Sequence, residues 1–207
     1  MDYKAPEFCI QIIEKTLCPQ QGERLDGTPL RGQPFRLEPY QKFILYNLVG
    51  FKLAGTNNVR FHEALIFIPR KNGKTGFAAA LAWALSLLYR KSGSKTYIAS
   101  AALMQSLESY NFLKYNVDRM GENAKNCGSI KVIDNNEHSL ESSLPDGSFF
   151  IRALAANPDA QDSLNCNIAI ADEMHAFKQP KQYNLFKEAM KAYTNKLMIW
   201  ISTAGDN

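Results

Sequence analysis

An α/β domain with a mainly parallel sheet is the architecture this 207-residue sequence predicts. Three observations carry the prediction. Short apolar runs alternate with amphipathic segments of helical period. Three of those runs end in polar motifs. The first motif, a Gly-Lys-Thr loop, joins its run to an Ala- and Leu-rich helix. The length suits one α/β unit with a proper core and is short for two large domains in series, so residues 1–207 are read as one domain. Within it, residues 1–60 form an N-terminal arm and a flanking helix, and residues 61–207 form the core.

Taken in order, Phe8, Ile10, Ile12, Ile13 and Leu17 predict a helix, followed by a long irregular arm rich in Gly, Pro and Arg up to about Leu37. Pro39-Tyr40-Gln41 opens a second helix, in which Phe43, Ile44, Leu48, Val49 and Phe51 recur at helical spacing before Gly55. Ala64 to Ile68 is a continuous apolar run, the pattern of a strand buried on both faces, and it stops at Pro69. Gly76 to Tyr89 reads as a helix that ends in cations and a glycine. Thr96 to Ala101 is a second strand. Leu103, Leu107, Tyr110, Leu113, Val117 and Met120 mark a long helix with one buried stripe. Short alternating pieces around Pro145-Asp146-Gly147 predict a β-hairpin insertion that runs into a core strand at Phe149-Phe150-Ile151. Ile168 to Ala171 is another buried strand, ending at Asp172-Glu173. A helix carrying Tyr183, Phe186, Met190 and Tyr193 precedes the last strand, Leu197 to Ile201, which ends in Ser202-Thr203-Ala204-Gly205.

Ligands of such sheets collect at the carboxyl ends of the strands, where all three motifs lie. Gly73-Lys74-Thr75 at a strand-to-helix turn offers backbone N–H groups and a helix N-terminus to phosphate, a lysine to the β and γ phosphates, and a hydroxyl to Mg²⁺. Ile68 stands where the P-loop pattern has its first glycine, and a bare Gly-Lys-Thr also occurs as a solvated basic turn. Asp172-Glu173 fits a Walker B element, with the aspartate holding Mg²⁺ through water and the glutamate orienting the attacking water. Two adjacent acids also serve as an ordinary helix start. The spacing leaves room for one additional strand between the two motif-bearing strands, so the pattern is that of a three-layer P-loop NTPase of the ASCE type, and the implied reaction is hydrolysis of ATP with Mg²⁺. Ser202-Thr203 could sense the γ-phosphate or simply end a strand. Gln41 has the donor and acceptor to read an adenine edge, although taken alone it reads as a helix-surface residue.

Pro69-Arg70-Lys71-Asn72-Gly73-Lys74-Thr75, Asp172-Glu173-Met174-His175-Ala176 and Ser202-Thr203-Ala204-Gly205, preceded by Leu37-Glu38-Pro39-Tyr40-Gln41, resemble the ATPase domain of tailed-phage terminase large subunits. The resemblance covers nearly the whole chain. A phosphate loop without its first glycine, entered through Pro-Arg-Lys-Asn, is itself typical of the HK97-like group. The resemblance implies an adenine-side role for Gln41 and a phosphate loop formed by Arg70, Lys71, Asn72, Gly73, Lys74 and Thr75. Asp172 becomes the Mg²⁺ carboxylate, beside Thr75, and Glu173 the catalytic carboxylate; Ser202, Thr203 and Ala204 form the coupling motif. It further implies a homo-oligomeric ring docked on the portal protein of a procapsid in the cytoplasm of an infected bacterium, working with a terminase small subunit on double-stranded DNA. A nuclease domain that usually follows in the family lies outside the sequence, which stops at Asn207. The arginine finger such rings use is not evident in 162–167; Arg152 and Arg70 are the candidates.

Composition is that of an ordinary globular protein, 45% hydrophobic and 21% charged, with a formal charge of +4. This balance permits contact with a polyanion without requiring it. Lys178, Lys181, Lys187, Lys191 and Lys196 could meet DNA phosphates or form a solvated helix face. Cys9, Cys18, Cys127 and Cys166 lack paired or zinc-finger spacing and read as free thiols. No run approaches a membrane span. A helicase-like translocase lobe fits Asp172-Glu173-Met174-His175 as a D-E-x-H motif and is the nearest alternative. A nucleotide-regulated DNA-binding module without turnover is the alternative from another class.

Overall fold

A computed structural model describes residues 1–24, 26–69, 72–126, 130–135, 137–155, 164–177 and 181–203, with the backbone alone for 122–126 and 175. Seven strands form one sheet: β1 (Glu63–Phe67), β2 (Ser94–Ser100), β3 (Ile130–Ile133), β4 (Ser139–Leu144), β5 (Gly147–Ala155), β6 (Ile168–Asp172) and β7 (Leu197–Ser202). Their order across the sheet is β1-β7-β6-β2-β5-β4-β3. The pairings from β1 to β5 are parallel, and β5-β4 and β4-β3 are antiparallel. One strand, β7, separates β1 from β6, although it follows both in sequence.

Helices α1 (Lys4–Thr16), α3 (Lys74–Leu88) and α4 (Leu103–Asn126) pack on one face. Helix α3 is apolar around its whole circumference and is buried from Phe77 to Ser86, because it lies between the sheet and its two neighbours. Alternation along the strands decides which residues meet it. Ile66, Ile98, Ile168, Ile170, Ile199 and Ile201 join the α3 cluster. Tyr97, Ala99, Ala169, Ala171, Met198 and Trp200 face the other way and are covered by α5 (Lys181–Ala189) through Phe186 and Ala189, with Met190 just beyond it. The predicted stripe of α5 therefore runs past the helix end, and Tyr193 lies outside it.

The N-terminal arm is irregular but tied down. Asn116 of α4 accepts from Cys18 N at 2.7 Å and donates to Cys18 O at 3.1 Å, doing for this peptide what a neighbouring strand would do. Glu14 receives Arg36, Lys42 and the Leu37 N–H. Burial acts to raise the Glu14 carboxyl, yet these three partners together hold it below the usual range. Helix α2 (Pro39–Leu45) follows, with proline at its start and a Glu38/Gln41 capping box, and passes into a π-helical turn, Tyr46–Gly50. The expected helix thus closes at Gly50, ahead of Gly55.

The hairpin predicted around Pro145-Asp146 joins β4 to β5, with Leu144 paired to Gly147. Arg90, beyond the end of α3, grips Asp146 with two hydrogen bonds of 2.9 and 2.6 Å. A Cβ on Gly147 would lie 2.2 Å from Arg90 O, so only glycine lets the hairpin approach this closely. The sequence signal for β3, which extends the sheet beyond the hairpin, was weak.

One expectation is corrected. The apolar run at Ala64–Ile68 is not buried on both faces: β1 is the edge of the sheet, and Leu65 and Phe67 are 53% and 64% exposed. Ala64 and Ile66 face α3, whereas α5 covers the central strands and reaches β1 at its start, where the Tyr183 hydroxyl donates to the Glu63 carboxylate at 3.1 Å. The result is an open apolar groove of about 550 Å³ between Leu65, Met174, Phe177, Tyr183 and Trp200.

Candidate functional site

The site forms where β1, β6 and β7 end against the start of α3. Ile68 is buried and donates its N–H to Ser202 O at 3.0 Å, so the chain leaves the sheet beside the end of β7. Arg70 and Lys71 lie outside the described residues. Gly73 adopts a left-handed conformation, φ 70°, and caps α3, with Phe77 N bonded to its carbonyl at 2.9 Å. A side chain here would be strained. The turn leaves the amides of the first helical turn, which have no acceptor within the helix, aimed out of the N-terminus with its partial positive charge.

Lys74 begins the helix and is 8% exposed, with its Nζ 2.5 Å from Glu173 Oε1. Asp172 is the last residue of β6 and 3% exposed. By alternation with Ile168 and Ile170, its side chain lies on the α3 face. Burial, and then the adjacent Glu173, push its carboxyl above the ordinary value, with Lys74 opposing them. Its Oδ1 accepts from Glu173 N at 2.9 Å. Glu173 itself has φ 57°, a left-handed conformation that costs a non-glycine residue free energy. This turn lets two neighbouring carboxylates serve one site, one at the strand end and the other on the lysine.

Thr75 follows on α3, where Ser109 Oγ of α4 donates to its carbonyl at 3.3 Å. Ser202 and Thr203 are buried at the end of β7; Ser202 pairs with Phe67 in register and donates its hydroxyl to Thr203 O at 3.0 Å. Ala204 lies outside the described residues. An open cavity of about 560 Å³ adjoins the helix start, lined by Gly73, Thr75, Gly76, Glu108, Phe112 and, from the arm, Phe35.

Gln41 is 4% exposed. Its Oε1 accepts from Glu38 N at 2.9 Å and its Nε2 donates to Tyr40 Oη at 3.3 Å. Tyr40 Oη in turn donates to Asn72 O at 3.1 Å. Gln41 thus reaches the phosphate loop through Tyr40, a link the sequence reading missed, since a tyrosine at the start of a helix carries no signal of its distant partner. Arg152 is not brought to the site. Its neighbours Ile151 and Ala153 join the α3 cluster while Phe150 and Leu154 lie on the other side, so Arg152 emerges on the face away from Lys74. Ser100, at the end of β2, was also missed: it is fully buried and pairs in register with Asp172.

The donor set suits Mg²⁺. A buried carboxylate and a threonine hydroxyl at a helix N-terminus are hard oxygen ligands, and Mg²⁺ takes one or two carboxylates plus substrate phosphates. Among the described residues no group of three or more His, Cys, Asp and Glu could hold a metal ion on its own. Of the cysteines, Cys9, Cys18 and Cys166 are free and buried, and burial pushes the Cys9 and Cys166 thiols up to about 12. Cys127 lies outside the described residues. Among the lysines of the α5 region, Lys191 pairs with Glu188, Lys187 lies over the Tyr183 ring and Lys196 reaches Met190 O; Lys178 lies outside the described residues. No helix among the described residues is long and apolar enough to cross a membrane.

A Gly-Lys-Thr strand separated by a single strand from one ending in Asp-Glu, in a parallel sheet between two helical layers, defines a P-loop NTPase of the ASCE type. The chain belongs to the terminase large subunit ATPase-domain family, which matches it over residues 39–207. It is 32% identical over 204 residues to the terminase large subunit of Enterobacteria phage HK97, covering 97% of this chain and 37% of that protein. It therefore spans little more than a third of that relative's length. The crystal structure of the HK97 large terminase superposes with a TM-score of 0.73 at 23% identity, over 98% of this chain and 38% of that one. The large terminase ATPase domain of Thermus phage P74-26 gives 0.57 at 17% identity, over 83% and 72%. A large terminase from a thermophilic bacteriophage, in complex with ADP, gives 0.53 at 10%, over 68% and 33%. Family membership sets aside the helicase-like lobe considered above.

Proposed function

We propose that this chain binds and hydrolyses ATP with Mg²⁺ as the motor domain of a phage terminase, driving double-stranded DNA into a procapsid. The observation that carries the reading is the contact of Lys74 with Glu173 beside Asp172, at the N-terminus of α3. The first-turn amides and Lys74 receive the β and γ phosphates. Glu173, then released from Lys74, orients the attacking water and takes its proton. Thr75 and Asp172 would hold Mg²⁺, which neutralises charge developing on the phosphates. Gly73 makes room for the phosphate, and Asn72, with Arg70 and Lys71, completes the loop.

Gln41 serves the adenine side through Nε2, its oxygen being engaged by Glu38, and Tyr40 carries the link to Asn72. Ser202, Thr203 and Ala204 couple the state of the γ-phosphate to β1 through the Ile68–Ser202 bond. Of the two arginine-finger candidates, Arg70 belongs to the loop of its own subunit, whereas Arg152, on the face away from α3, would act toward a neighbouring subunit of the ring. The family and its HK97 relative support action in an infected bacterium, with the portal protein, a terminase small subunit and a ring of like subunits as partners. The test is phosphate release with and without DNA. Lys74→Ala is expected to reduce turnover by on the order of 10²–10³-fold. Glu173→Gln is expected to keep ATP binding and lose turnover, and normal turnover in that variant refutes the assignment.

A further inference from the structure

Ser100 ends β2 level with the point where Asp172 ends β6, as register partners on adjacent parallel strands, whose spacing is about 4.8 Å. Its neighbours two and four residues back define its direction. Ile98 packs in the α3 cluster, and Thr96 shares a hydrogen bond of 2.6 Å with Ser86 of α3. Ser100 therefore projects to the same face as Asp172, toward the start of α3.

The side chain is completely buried, and its Oγ has no hydrogen-bond partner among the described residues. Nearby hydroxyls behave differently: those of Ser94, Thr96, Ser106 and Ser109 all have partners. A buried, unsatisfied hydroxyl is destabilising, and alanine would remove that cost with almost no change of shape. The folded chain thus carries a polar atom that its own packing does not use, beside the carboxylate assigned to the cation.

We propose that Ser100 is a positioning residue of the divalent-cation site, its hydroxyl accepting a hydrogen bond from a water ligand of the cation held by Asp172. This rests on the reading of Asp172 given above. Mg²⁺ retains several waters in phosphate sites, and outer partners that orient ligands strongly affect metal affinity. A hydroxyl at this height on β2 fixes one such water from the side opposite β7, whereas an alanine leaves it free to turn.

The test follows binding of a fluorescent ATP analogue to the full chain as Mg²⁺ is titrated, together with Mn²⁺ binding by electron paramagnetic resonance. Ser100→Ala is expected to raise the half-saturating Mg²⁺ concentration about tenfold, while Ser100→Thr stays within about threefold of the parent. Binding in EDTA is unchanged in both, and Ser100→Ala melts no lower than the parent. Parent-like Mg²⁺ and Mn²⁺ binding by Ser100→Ala overturns the proposal, as does a Ser100→Thr protein as weak as Ser100→Ala. Asp172→Ala separates the two layers: if it too binds the cations normally, the reading of Asp172 fails. If only Asp172→Ala loses them, the failure belongs to Ser100.

Discussion

β1 and β6 are nearly interchangeable as sequences: each is a short apolar run that delivers a polar motif to its carboxyl end. In the fold they are opposites. Every residue of β6 is buried, because strands flank it on both sides and helices cover both of its faces. β1 has β7 on one side only, and Leu65 and Phe67 stand in the open. An apolar run therefore records that a strand exists and where it ends, but not whether it has two neighbours. What the two strands share is a polar motif at their tips, beside the start of α3, whose face both keep covered.

Substitutions can sharpen that contrast. Ile170→Ala in β6 opens a cavity in the core and is expected to cost about 2–5 kcal/mol, read as a lower denaturation midpoint. Phe67→Ser and Leu65→Ser in β1 are expected to stay within about 0.5 kcal/mol of the parent. A loss in β1 as large as that in β6 would mean that the open face is covered in solution.

The carboxylates give a contrast of sign. The folded-state pKa of Asp172 is raised by burial, so its contribution favours the fold below the unfolded value of 3.8 and is lost as pH rises through the folded value. Asp172→Asn is accordingly expected to melt above the parent at neutral pH while losing turnover. Glu14 is the reverse case: its pKa is lowered from 4.5, so its contribution is present above that value and is lost as pH falls, and Glu14→Gln removes this part of the acid sensitivity. Melting curves from pH 3 to 8 read both. Tyr40→Phe removes both the bond to Asn72 O and the acceptor of Gln41 Nε2, each worth about 0.5–1.5 kcal/mol; the loss shows as weaker ATP binding with unchanged turnover of the bound complex.

The phosphate loop, Asp172-Glu173, the hairpin turn and most strand ends were legible because each is written locally, as an apolar run followed by residues of particular chemistry. The left-handed backbone of Glu173, the Tyr40–Asn72 link, the direction of Arg152 and the position of Ser100 were not. They depend on which strand lies beside which, and lateral order in a parallel sheet is set by long crossovers that leave no local pattern. Gln41 shows the boundary well. Its residue type suggested recognition of a base, and only the fold reveals that half of its amide is engaged by the first turn of its own helix.

The clasp between Cys18 and Asn116 bears on the order in which the molecule assembles. It joins positions 98 residues apart in sequence and replaces a β-ladder with a single side chain on α4. The arm has turns of its own, but this tie forms only once that helix is seated on the sheet, and contacts so distant in sequence are slow to close. Phe35, carried by the same arm, walls the cavity beside α3. The cavity beside the start of α3 is thus walled in part by a stretch of chain whose placement depends on a helix far along the sequence.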